Sequence, residues 1–287
     1  MPWVAELLGD AASAGQSSGS SLLTGKNASF ATVRVKNARA LSPVEFEAAT
    51  VAAYQQIHRT LDTTAHHHPV RFWNYLPGIH DALDERRDRY MVFNAGRYQA
   101  LSDWFDGADH LPDRLPAASG VGHGGDDLLI QCLSLGHPGE AIENPRQIPA
   151  FRYSQRFGPR PPCFARATVV RHPVSCEHIL LVAGTASIRG EQSMHANDLA
   201  SQLDETFANL RALLGAAQGP DAVNHLNSFT DVRVYYLRSA DAQPTERIVR
   251  SMFANQVRLQ LVRADICRAD LLVELEGVAR LGRGTGR

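Results

Sequence analysis

The chain's 287 residues and 31.4 kDa suit two average domains or one large one, and its 44% hydrophobic content marks an ordinary globular protein with ample core. Basic residues number 29 and acidic residues 30, a net charge of −1 that provides no global field for nucleic acid or an anionic membrane. No stretch approaches the roughly 20 apolar residues of a membrane-crossing helix, and the opening residues lack the pattern of a secretory signal. Cys132, Cys163, Cys176 and Cys267 lie far apart without CxxC spacing. Neither disulfides nor a zinc site is therefore expected, and the cytoplasm is the expected compartment.

Along the chain, AASAGQSSGSS reads as flexible chain. SPVEFEAATVAAYQQIHRTL is a helix with Ser42 as N-cap and a proline at its first position. His66 to His68 read as a solvated loop, because adjacent positions converge poorly on one metal ion. The strand PVRFWNYLP, the helix DERRDRYMVFNAGRYQALSDWF and the strand DDLLIQCLSL follow. GHPGEAIENPRQIPAFRYSQRFGPRPPC, dense in Pro and Gly, is a linker or binding loop. Beyond it come the strands CFARATVVR and HILLVAGTASI, then a helix from Asn197 to a terminating Gly215. DVRVYYLR is a strand, and a shorter helix lies near PTERIVRSMFANQ. DICRADLLVELEG is a strand entered through Cys267, burying Leu271, Val273 and Leu275 on one face. Its other face carries Glu274 and Glu276, which either meet water or occupy a site. Helix–strand–helix–strand thus occurs twice, which predicts an α+β layer architecture built by duplication.

Three features place polar or small groups where the pattern favours carbon. Tyr90, Phe93, Leu101 and Trp104 share a helical stripe about 80° wide, and Arg97 projects from its middle. A guanidinium there must snorkel outward, pair with an internal acid, or meet an anionic ligand. FRYSQRFGPRPPCFARA holds four arginines beside aromatic rings, which suits two-point contact with a small carboxylate or phosphate. Arg166, between Ala165 and Ala167 on a predicted strand, has the strongest claim to point somewhere definite. AGTASIRG allows close approach to the backbone, and Gly184 can expose amides. There is no Walker-type phosphate loop, no GxGxxG and no GxSxG elbow.

HILLVAGTASIRG, DLASQLDETFANLRALL, DVRVYYLR and LLVELEGVA resemble successive segments of a RidA/YjgF-type unit. RFWNYLP, FNAGRYQAL, YSQRFGPRPPCFARA and GTASI resemble more specifically the chorismatase and 3-hydroxybenzoate synthase family, over roughly residues 28 to 287. The resemblance implies tandem RidA/YjgF-like (chorismate-mutase-like) domains in a pseudo-trimeric arrangement: a reduced N-terminal segment over 1–27, a central domain over 28–150 and a C-terminal domain over 151–287. It also implies a monomer with chorismate as substrate, although the short N-terminal segment leaves room for self-association. Neither nucleic acid, membrane, metal nor organic cofactor is expected to take part.

By the same resemblance Arg97, Arg166 and the Tyr153 hydroxyl hold the two carboxylates of chorismate, Glu274 is the catalytic acid and Glu276 is structural or solvated. Glu274 would protonate the enol-ether methylene, and the oxocarbenium-like centre would then resolve in one of two ways. Water completes a hydrolysis to a dihydroxycyclohexadiene carboxylate and pyruvate, or an internal rearrangement expels pyruvate and leaves a hydroxybenzoate. Cys267 stands where the aromatising enzymes carry a cysteine, which favours 3-hydroxybenzoate. Ala183, beside Gly184, is a second candidate for shaping that choice and pulls towards hydrolysis. Glu191 departs from the family, which often has histidine there. A RidA-type deaminase would need an arginine where Leu259 stands, and a silent binder of aromatic acids would keep the arginines without turnover.

Overall fold

The computed structural model describes residues 1–9, 13–17, 19–219 and 226–282. A first sheet follows helix α1 (Pro2–Leu8). It contains β1 (Ser13–Ser17), β2 (Ser20–Thr24) and β3 (Ala28–Val35), then α2 (Pro43–Asp62), β4 (His68–Pro77), α3 (Arg89–Trp104), the short α4 (Leu111–Arg114), β5 (Ala117–His123) and β6 (Leu128–Leu135). The second begins with β7 (Glu140–Ile142), β8 (Ala167–Arg171) and β9 (His178–Ala186), and a small hairpin, β10 (Ile188–Arg189) and β11 (Gln192–Ser193), follows. It then has α5 (Leu199–Gln218), β12 (Phe229–Tyr236), α6 (Ala242–Met252), β13 (Arg258–Arg263) and β14 (Val273–Gly282).

The strand orders are β1-β2-β3-β6-β4-β5 and β7-β8-β9-β14-β12-β13. Each sheet is antiparallel except for its last pair, β4 with β5 and β12 with β13, which are parallel. Parallel neighbours need a crossover, and α3 and α6 supply it. The expected duplicated α+β architecture is therefore present strand for strand. The AASAGQSSGSS segment, expected to be flexible, supplies most of the β1–β2 hairpin, in which Ala14 pairs with Leu23 and Gln16 with Ser21. The sheets divide between β6 and β7, so residues 13–24 belong to the first and 140–142 to the second.

Local chemistry explains the helix starts. Ser42 caps α2 ahead of Pro43, as the sequence indicates, and with Glu45 it forms a reciprocal capping box. Asp88 caps α3 by accepting from the Met91 amide, so the helix begins at Arg89 rather than at residue 84. Asp198, not Asn197, caps α5, which runs through Gly215 and stops at Gly219 with φ +92°. The expected solvated loop holds for His67, which is exposed ahead of the sheet, but His66 is buried against the Ser29 hydroxyl at 3.2 Å and His68 opens β4.

Each sheet packs its helices on one face. Phe46, Tyr54, Ile57 and Phe93 meet Phe72 in the first, and Leu203, Phe207 and Leu210 meet Val234 and Leu275 in the second. The opposite faces join in a seam of Val70, Trp73, Leu133, Ile179, Leu181 and Val278, into which α1 inserts Val4, Leu7 and Leu8. Leu7→Ala is expected to cost about 2–5 kcal/mol, read as a lower thermal midpoint by circular dichroism, because Leu7 is almost fully buried there.

Candidate active site

Where the two units meet, a cleft of 410 Å³ opens between α3 and β5 on one side and β9, β14 and the 153–166 segment on the other. Arg97, Tyr153, Arg166, Gly184, Cys267 and Glu274 all line it. Ala183 does not. Its side chain is fully buried in the apolar cluster of the first unit, while its amide bonds to the Arg166 carbonyl at 2.9 Å.

Glu274 enters the cleft near the start of β14. The strand begins at Val273, not Asp265, and Cys267 stands in the turn before it. Glu274 pairs with Ala186 on β9, but the register slips between Leu275 and Gly277, so β9 carries one extra residue around Ala183–Gly184. This bulge brings the Gly184 backbone against the carboxyl. A Cβ added at Gly184 would lie 2.0 Å from Glu274 Oε1 and 2.6 Å from its Cδ. Gly184→Ala is accordingly expected to keep the fold but to displace the Glu274 carboxyl, lowering turnover far more than the thermal midpoint when both are measured on one preparation.

The electrostatics of this carboxyl are unusual. It is 3% exposed, and Oε1 has no hydrogen-bond partner. Burial, followed by the neighbouring Glu276, pushes it up to about 8, against the opposing pull of Arg71, Arg166 and Cys267. Cys267 is half-buried beside it, and burial pushes that thiol up to about 12. Glu276 is neither wet nor in the cleft: Arg71, Trp73 and Ser119 from the first unit and Arg233 and Tyr235 from the second bond to it.

Neither arginine behaves as a structural ion pair. Arg97 is 1% exposed; its Nη2 donates to Asn94 Oδ1 at 2.8 Å, its guanidinium packs against Phe93 and Phe164, and Nε has no partner. Arg166 donates to the Tyr153 hydroxyl at 2.6 Å and to the Ile148 carbonyl at 3.1 Å, and its Nε is likewise without a partner. The nearby Glu143 forms no ion pair with Arg166, and burial pushes it up to about 7 despite the pull of the Arg166 charge and backbone. Two buried cations thus face the cleft, and among the described residues no carboxylate neutralises either one through an ion pair. Such groups gain most from an anionic ligand.

The segment over the cleft is tied down from three sides. Glu191 accepts from the Ser154 amide and hydroxyl at 2.9 and 2.8 Å, and Arg156 donates to Gln192 at 2.7 Å. Arg268 stacks on Phe157 at 4.0 Å and donates to the Glu191 carbonyl at 2.8 Å. Glu191 therefore belongs to an exposed turn that holds the 151–163 loop, and its charge does not line the cleft.

Sequence reasoning did not identify Ser119 or Arg268. Ser119 lies on β5, a strand of small residues without a clear alternation, and Arg268 lies in a turn where nothing but its neighbour Cys267 draws notice. The duplication also marks a contrast. Aligning the shared Val-Arg of β4 and β12 sets Trp73, paired with Gln131, against Tyr235, paired with Glu274. The first sheet thus carries an amide where the second carries the acid.

Comparisons with known proteins agree with this geometry. The family model described as "Chorismatase FkbO/Hyg5-like, N-terminal" matches residues 6–134. A 3-hydroxybenzoate synthase of Streptomyces hygroscopicus is 35% identical over 239 residues, covering 80% of this chain and 68% of that protein. A chorismatase of Streptomyces rapamycinicus is 33% identical over 238 residues, covering 81% and 70%. A chorismatase crystal structure superposes with a TM-score of 0.80 at 28% identity, covering 93% of this chain and 78% of that one. Similarity of this extent spans both sheets and the cleft between them, and the chain belongs to the chorismatase family.

Proposed function

We propose that the chain binds chorismate in the cleft and cleaves it to pyruvate and a hydroxybenzoate, principally 3-hydroxybenzoate. One observation carries this reading: a single shielded cleft holds a carboxyl with an unpartnered oxygen, poised to keep its proton near neutrality, and two guanidiniums that form no ion pair with an acid among the described residues. A doubly charged ring substrate with an acid-labile side arm matches those groups. Arg97 takes one carboxylate and Arg166 with Tyr153 the other, which sets the enol-ether methylene towards Glu274.

Glu274 donates its proton to that methylene carbon, and positive charge develops on the ether-bearing carbon. In an internal rearrangement the adjacent ring hydroxyl oxygen bonds to the ether-bearing ring carbon as that carbon's bond to the side-arm oxygen breaks. The arm leaves as pyruvate with the ether oxygen as its carbonyl, and the hydroxyl proton is released. Reprotonation of the bridging oxygen, cleavage of its bond to the original carbon and loss of a ring proton then leave the hydroxyl at the 3-position, and no water is consumed. Cys267 lines the cleft beside the acid, whereas Ala183 is turned away, so the side chain favouring the aromatic product is the better placed of the two. Relatives bearing both names, 3-hydroxybenzoate synthase and chorismatase, support chorismate chemistry in general. No step is routed through a metal or an organic cofactor. Both cleft walls come from one chain, so we propose that a single copy acts alone, in the cytoplasm.

The test is to incubate purified protein with chorismate, follow pyruvate by a coupled dehydrogenase assay, and separate the ring products chromatographically. Pyruvate with 3-hydroxybenzoate supports the proposal. A dihydroxycyclohexadiene carboxylate would replace the aromatic branch with hydrolysis, and binding without pyruvate would make the chain a silent binder.

A further inference from the structure

Glu274 and Glu276 stand two residues apart on one face of β14, about 7 Å along the strand, in opposite surroundings. Both oxygens of Glu276 are occupied. Oε2 accepts from Arg71 Nη2 at 2.7 Å and from the Ser119 hydroxyl, while Oε1 accepts from Trp73 Nε1 at 2.9 Å, the Tyr235 hydroxyl at 3.2 Å and Arg233 Nη1 at 3.4 Å. Two guanidiniums and three neutral donors thus surround a carboxyl that is only 4% exposed.

Glu274 has far less support: Oε1 has no partner, and Cys267 is the side chain that hydrogen-bonds the carboxyl. Around it stand Arg71 from β4, Tyr90 from α3, Ser119 from β5, Arg166 ahead of β8, Gly184 from β9, its cross-strand partner Tyr235 on β12, and Cys267 and Arg268 from the turn. The cations in that set would by themselves draw the proton off. Arg71, however, is already engaged by Glu276, whose negative charge lies on the same strand face.

We infer that Glu276 is a positioning residue for the proposed proton transfer: held by donors from both sheets on the same strand face, it keeps the proton on Glu274. This rests on the reading of Glu274 as the acid and adds a division of labour between two carboxyls, one with donors on both oxygens, the other with an oxygen left unpartnered. Glu276 touches no substrate in this scheme. It acts through Arg71 and through its own charge.

A structural role alone, joining the two sheets, would not set the titration of Glu274, so the test reads that titration directly. Protein labelled at glutamate carboxyls is followed by infrared difference spectroscopy, and the protonated-acid band of Glu274 is assigned by its loss in Glu274→Gln. In the wild-type protein that band is expected to persist at neutral pH and to fade as pH rises through about 8. In Glu276→Gln it should fade at least about one pH unit lower. In Arg233→Gln, where Glu276 is left in place and a cation at the rim is removed, it should fade at higher pH. Opposite shifts from two neighbours of one hub are not what simple loosening produces.

If Glu276→Gln folds, judged by circular dichroism, and its band titrates at the wild-type pH, the inference is overturned. If Glu276→Gln does not fold, Arg233→Gln decides: an upward shift supports the inference, and no shift or a downward one overturns it. Absence of a protonated Glu274 band at neutral pH in the wild-type protein also overturns it. None of these readouts requires turnover of chorismate, so failure of the proposed substrate shows separately, as absent pyruvate with the band and its shifts intact.

Discussion

Glu274→Gln is expected to reduce pyruvate release from chorismate by about 10²–10⁴-fold while leaving the binding of a non-reactive dicarboxylate analogue within a few-fold of wild type. Glutamine keeps the side chain's length and planarity but has no proton acidic enough to give to a vinyl carbon. Stopped-time pyruvate assays and analogue titration by calorimetry would read the two halves, and near-normal turnover would remove the acid assignment. The pH dependence is fixed by the direction of the shift. Glu274 is protonated below about 8 in the folded chain, so kcat/KM should hold near neutrality and fall as pH rises through that value. Stability follows the same sign. Because the folded value lies above the ordinary 4.5, the stabilising contribution is complete below that ordinary value and is lost as pH rises towards 8. Glu274→Gln removes this slope, and its thermal midpoint should gain on the wild-type value between those limits.

Arg97→Ala should separate binding from stability. A charge-assisted contact to a substrate carboxylate contributes about 1.5–3 kcal/mol, so KM or an analogue Kd should rise by roughly 10- to 150-fold. An arginine locked in an internal ion pair would, on replacement, leave a buried acid unpaired and destabilise the fold strongly. No such acid pairs with Arg97 among the described residues, and Nε lacks any partner. The thermal midpoint should therefore fall only by what the lost packing against Phe93 and Phe164 accounts for. Weakened binding with a modest midpoint change supports an anion-holding role. Unchanged affinity with a large drop in midpoint would return Arg97 to the architecture.

The long amphipathic helices and the central strands were legible because their apolar spacing is strong: α2, α5, β4 and β12 stand close to where the pattern puts them. The strands that went unread include the same one in both copies, β5 and β13, each the parallel strand at the sheet's end. AASGVGH has too little side-chain bulk for alternation to register, and RLQLVR offers only two leucines alternating with Arg258 and Gln260, a run too short to stand out. The β1–β2 hairpin was masked by serine and glycine, whose backbones pair as readily as any. Arg97 was legible as a misplaced charge because a cation in an apolar stripe needs an explanation. That it pairs with no acid was not, since the absence of a partner is a property of three dimensions. Glu274 and Glu276 looked equivalent on the strand, and only the tertiary donors around Glu276, reaching back to Arg71 and Trp73, distinguish them.

Gln131 in one sheet holds the place that Glu274 holds in the other. On the proposed reading, two copies of the same scaffold yield one reactive centre per polypeptide, since one copy contributes the acid and the other contributes Arg97 and Ser119 as its opposite wall. Each half is therefore free to vary without having to match its twin, and expressed apart, each would hold only a fragment of the machinery.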